Sequence, residues 1–265
     1  MDIISEVQKL LNPEEKQLKR EDKEKQAHKM DIKYYKKPKS PTVITGFPGF
    51  GLVGTISTEY LLEHLSNEPA GKILFYEMPA IAAIHDNKIV EPFGFFYNKE
   101  YNIIIIHAIS STTGFEWELA DIIMKIAREL GAKEIISLEG VGSNEQTSGT
   151  RSFYFASDEK SQQKLKKLNV SALNEGIIVG VSGALLLKHE EIPITCIFSE
   201  THSKLPDSNA AAKIIETLDK YLDLDVDYKP LLAQAEKFEE KLKNILKKGQ
   251  EATELSEQKR MSYVG

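Results

Sequence analysis

Gly49-x-Gly51-x-x-Gly54 is the arrangement in this chain whose spacing speaks most directly of chemistry. Glycines so placed, after a strand and leading into a helix, match the dinucleotide-binding fingerprint. Without a Cβ they let a pyrophosphate come close to the backbone, and the helix start behind them offers unpaired N–H groups. Glu77 follows at the distance where such sites hold a ribose hydroxyl. A second reading competes with this one. Strand-to-helix turns favour glycine whatever they bind, and Phe47, Pro48 and Phe50 would stiffen and crowd this turn. On spacing alone both stand: a nucleotide- or nucleoside-binding enzyme using Gly49, Gly51, Gly54 and Glu77, or a set of turn-formers.

Two acids form the next candidate. Glu139 and Glu200 each end an apolar run that reads as a core strand. Open α/β sheets bind ligands at the carboxyl ends of their parallel strands. Residues 110–113, 140–143 and 201–202 would gather at the same edge, which makes a small-molecule cleft geometrically reasonable. The bland alternative is that strand ends are loops and loops are polar.

Other chemistry is weaker. Ser182 sits in Gly180-Val181-Ser182-Gly183-Ala184, close to a nucleophile elbow, but that turn needs glycine where Ala184 stands. No two of the six histidines lie three or four residues apart, so no helix offers a paired metal site. His107 lies inside an isoleucine run and reads as a core histidine, and Cys196 reads as a buried, inert thiol. No catalytic residue, metal site or cofactor is assigned.

The elements that would position these groups alternate in type. Residues 42–45 read as a buried strand and residues 52–65 as a helix. Strands are expected at 73–77, around 80–85 and 93–97, and at 101–109, 134–139, 151–156, 177–181 and 194–198. Helices are expected at 116–130, 158–168, 183–189 and 208–222, the last capped by Asp207 or Ser208. Strands separated by helices imply an α/β fold, a mostly parallel sheet with helices on both faces. Residues 1–40 form a charged helical N-terminal arm, with an apolar stripe at Ile3, Ile4, Val7, Leu10 and Leu11. Residues 41–228 form the core domain. In residues 229–248, Leu231, Ala235, Phe238, Leu242 and Ile245 repeat at heptad spacing as an amphipathic C-terminal helix. Residues 249–265 form a polar tail.

The totals bound the function. The chain has 265 residues, 41% hydrophobic and 28% charged, enough for a sizeable core. No apolar run reaches the ~18 residues of a membrane span, and residues 1–12 lack a basic leader, so neither a membrane protein nor a signal peptide is expected. A single cysteine fits a reducing cytoplasm. Net charge is −6, yet residues 12–40 carry ten Lys/Arg against six Asp/Glu. The acidic remainder argues against a nucleic-acid partner.

Three stretches together resemble the proteasome assembly chaperone 2 family, especially its archaeal members. They are GFPGFGLVG at 46–54, GVSGALLL at 180–187 and ETHSKLPDSNAAA at 200–212. The resemblance covers roughly residues 40–245. It implies a nucleoside-phosphorylase-like fold without phosphorylase activity, in a cytoplasmic homo-oligomer. That oligomer would engage proteasome α-subunits and assist their assembly without ATP. In such a family Gly49, Gly51 and Gly54 look like turn-formers. Relatives of this kind often end in a hydrophobic–tyrosine–any pattern that docks between α-subunits. Here Tyr263 is third from the end and Val264 penultimate, so the resemblance leaves two alternatives: Tyr263, Val264 and Gly265 dock in a shifted register, or binding uses another surface.

Overall fold

A computed structural model of the chain describes residues 30–76, 83–85, 88–110, 112–142, 150–189, 191–201 and 205–233, with single positions at 240, 244 and 247. In chain order the elements are β1 (Met30–Tyr34), β2 (Thr42–Gly46), α1 (Val53–His64), β3 (Asn67–Phe75), β4 (Ala83–His85), β5 (Lys88–Val90), β6 (Phe93–Asn98), β7 (Ile103–Ala108), α2 (Glu116–Leu130) and β8 (Glu134–Gly142). There follow β9 (Ser152–Ala156), α3 (Glu159–Lys167), β10 (Ser171–Ala172), α4 (Gly180–Leu187), β11 (Ile194–Thr201), α5 (Ser208–Leu222) and α6 (Lys229–Ala233).

Among the described residues, nine strands make one sheet in the order β1-β3-β6-β7-β2-β8-β11-β9-β10, while β4 and β5 pair separately. The centre, β7-β2-β8-β11, is parallel throughout. The flanks are not: β1-β3, β3-β6, β6-β7 and β11-β9 run antiparallel. The expected mostly parallel sheet is therefore corrected to a mixed one. The reason is connection length. Residues 99–102 join β6 to β7, too few for the crossover a parallel pair requires, so the chain turns back as a hairpin with Asn102 at φ 54°.

Helices do cover both faces, and strand periodicity shows how. On β7, Ile104 and Ile106 enter one core with α2 and α4, while Ile103 and Ile105 enter the other with α1, α3 and α5. All four are essentially fully buried, as a strand covered on both sides demands. Helix α2 matches its expected bounds, ending at Gly131 in the left-handed region, and α5 starts as expected, with Asp207 accepting from the Ala210 N–H.

Other boundaries move. The strand expected at 73–77 is the end of the longer β3. Strand β8 runs through Gly140 to Gly142 rather than closing there. The strand expected at 177–181 is absent: residues 173–179 are irregular, and α4 begins at Gly180. Ile177 and Val179 are 91% and 75% exposed, so these apolar side chains find no sheet to bury them. Met30–Tyr34, inside the span expected as a helical arm, is instead an edge strand on β3. Leu231, first residue of the expected C-terminal seam, is buried against the body. Residues 1–29, most of the seam and the tail 249–265 lie outside the described residues.

Candidate functional site

Strand alternation decides which side chains meet at the carboxyl edge of the parallel strands. On β8, Ile135 packs into the core under α2 and α4, so Ser137 and Glu139 point to that face too. On β11, Ile194, Cys196 and Phe198 take the same side, and Glu200 follows them. Register sets Glu139 beside Phe198 and Glu200 beside Val141 on adjacent parallel strands. The two acids thus share one edge and one face, as their positions at strand ends implied.

Glu139 is 8% exposed. Ser182, in the first turn of α4, donates to its Oε2 at 2.9 Å, and Ser137 lies 2.9 Å behind Ser182. The backbone N–H groups of Phe50 and Gly140 also donate to the carboxylate. Burial nonetheless dominates and raises the Glu139 pKa to about 7, because desolvation penalises the charge more than three donors restore. Glu200 is neutralised differently: Arg151 grips it in a two-pronged pair at 2.8 and 2.9 Å.

The glycine turn lies directly above Glu139. A Cβ on Gly49 would collide with the Glu139 carboxyl, and one on Gly54 with the Leu138 carbonyl oxygen. Gly51 sits at φ 63°, where glycine is favoured, and Leu52 follows it into the same left-handed region. The space freed by these glycines is filled by the protein's own atoms, and an N–H of the turn that could meet a phosphate meets the chain's own carboxylate. Glu77, Ser143 and His202 lie outside the described residues, as do Tyr263, Val264 and Gly265.

Around Glu139 opens a cleft of about 870 Å³. Its walls are the turn Phe47–Phe50, Thr112 to Glu116 after β7, the end of β8, Arg151 and Phe153 at the start of β9, and residues 172–181. Sequence reasoning placed the acids but missed Arg151 and the 173–179 wall, which no local pattern marks. Ser182 carried a signal, its glycine-flanked turn. Its role here is to donate to Glu139 from a position only 1% exposed. His107 is a core histidine as expected, its Nδ1 2.8 Å from Thr58 Oγ1 and its Nε2 3.0 Å from Glu59. Cys196 is fully buried, and burial pushes its thiol well above the usual range. Among the described residues no group of three or more His, Cys, Asp or Glu could hold a metal, and no helix is long and apolar enough to cross a membrane.

This architecture has relatives. Residues 43–246 match the PAC2 family. The chain belongs to the PAC2 family. Among solved structures, PbaA of Pyrococcus furiosus, described as an archaeal homolog of proteasome-assembly chaperone, superposes with a TM-score of 0.76 at 29% identity, over 84% of this chain and 99% of that one. PbaB of the same organism, described as an archaeal proteasome activator, shares the fold at 23% identity with a TM-score of 0.68, over 82% and 98%. An uncharacterized protein of Methanocaldococcus jannaschii, MJ1210, is 25% identical over 84% of this chain and 92% of its own. The PAC2 resemblance read from the three sequence stretches therefore holds.

Proposed function

We propose that this PAC2-family chain is a non-catalytic proteasome assembly chaperone or proteasome-binding factor. It engages α-subunits as a cytoplasmic homo-oligomer, on a nucleoside-phosphorylase-like scaffold that has kept no phosphorylase chemistry. The observation that carries this reading is the near full-length likeness to PbaA. The glycine turn supports it, since Gly49 and Gly54 serve close packing against Glu139 and Leu138. The mechanism is differential binding: the oligomer covers apolar surface on α-subunits until their correct neighbours displace it. Residues 249–265, ending in Tyr263-Val264-Gly265, tether the partner and raise its local concentration.

The test is capture from native lysate with the full chain and with a chain lacking residues 257–265, read by mass spectrometry. Enrichment of proteasome α-subunits by the full chain, reduced by the truncation, is the expected result. Equal capture by both forms removes the tail's role alone. No α-subunit captured by either form removes the chaperone reading.

A further inference from the structure

Strand β1 is the outermost strand on its side of the sheet among the described residues. Alternation divides its side chains into two rows. Met30, Ile32 and Tyr34 are half-buried and pack against the core that α2 and α4 cover. Asp31 and Lys33 stand exposed on the other face. The backbone alternates as well. Tyr35, one step beyond the strand, donates its N–H to the Ala70 carbonyl, in the register that sets Ile32 against Ile73. In an antiparallel pair, hydrogen bonds join every second residue. The N–H and C=O groups of Asp31 and Lys33 therefore turn toward β3, and those of Met30, Ile32 and Tyr34 turn outward. An outward row of this kind is a template for another strand.

Lys33 carries a second mark. Its cross-strand neighbour on β3 is Lys72, and Lys72 is already paired with Glu91 at 2.8 Å. Like charges directly opposite each other are destabilising. Lys33 has no ion pair among the described residues, while Asp31 accepts from the Tyr76 hydroxyl at 3.1 Å. A guard against edge pairing works through like charges. Here the two exposed charges are opposite in sign and flank one apolar residue.

One occupant satisfies all of these features: a second copy of the same strand. When two β1 strands run antiparallel and centre on Ile32, Ile32 meets its own counterpart. Asp31 then falls opposite Lys33 of the second copy, and Met30 opposite Tyr34 of the second copy. Every outward N–H and C=O of Met30, Ile32 and Tyr34 gains a partner. The two apolar rows continue each other on one face, and opposite charges alternate on the other. Centring the pair on Asp31 or on Lys33 sets like charges opposite each other instead, so the charges also fix the register. We propose that β1 is a self-complementary edge through which two copies of this chain join their sheets about a two-fold axis at Ile32. The proposal rests on the homo-oligomer of the proposed function and names its contact.

Sedimentation of the full chain over a dilution series tests this with wild type, Asp31→Lys, Lys33→Asp and the double swap. Each single variant sets like charges across the contact twice, and raises the dissociation constant at least about tenfold. The double swap restores opposite charges and associates as wild type does. An equimolar mixture of the two single variants is complementary, one edge carrying two lysines and the other two aspartates. It associates more tightly than either variant alone. Both positions are exposed, and each single variant is read against wild type separately, so one suffices if the other fails to fold. Single variants that associate like wild type, or a mixture no tighter than its components, overturn the edge and leave the homo-oligomer on another surface. A monomeric wild type overturns the edge and the homo-oligomer together.

Discussion

At the residue scale, Glu139 shows how one side chain links stability to pH. Its folded pKa of about 7 lies above the ordinary 4.5. Between those values the folded state keeps a proton that the unfolded chain has lost. Stability therefore falls as pH rises from about 4.5 to about 7, then levels off. Relative to Glu139→Gln, wild type loses up to roughly 3 kcal/mol across that window. Thermal melts of both proteins over the pH range check this; parallel pH profiles would refute it. Gly54 makes a different point. Its missing Cβ lets α1 rest on the β8 backbone, so Gly54→Ala costs at least about 2 kcal/mol. Gly114, with nothing within 4 Å, meets only the strain of φ 87°, about 1 kcal/mol. Urea unfolding of the pair ranks them.

At the element scale, the antiparallel β9–β11 pair is held by more than its ladder. Arg151 stands just before β9, its carbonyl accepts from the Glu200 N–H, and its guanidinium meets the Glu200 carboxylate. The Glu200 side chain is only 1% exposed, the Arg151 side chain 43%. Removing the partner of a buried charge costs more than the pair is worth, so Arg151→Ala destabilises by about 3 kcal/mol. Adding Glu200→Gln recovers part of the loss, since the buried charge is then gone. Additive losses in a double-mutant cycle would show that the pair is not coupled. Much of this level was readable in advance. Isoleucine runs marked β7, a helical repeat ended by Gly131 marked α2, and Asp207 marked the start of α5. Ile177 and Val179 misled because apolar content reports a wish for burial and not its fulfilment; here both are exposed where they line the cleft, while Val181 of the same run is buried in the core.

At the scale of the whole molecule, α6 bears on self-association. Leu231 is buried beside α5, so the first position of the C-terminal seam is used within the chain. Leu231→Ala then lowers stability by roughly 2–4 kcal/mol through the cavity it leaves. It leaves the mass by light scattering unchanged at a multiple of 29.8 kDa. A mass that collapses to one subunit would place Leu231 between subunits instead; a wild-type monomer would remove the homo-oligomer from the proposed function.

The sequence by itself determined the α/β class, the burial of both sides of the central strands, and the presence of Glu139 and Glu200 at one edge. These follow from period-2 and period-3.6 patterns, which are local. Only the tertiary structure decided that the flanks run antiparallel, that Arg151 closes on Glu200, and that Ser182 and Glu139, 43 positions apart, share a hydrogen bond. The reason is physical. Periodicity records which face of an element is buried, whereas strand order, register and buried polar partners are set by contacts between distant segments, which leave no spacing to read.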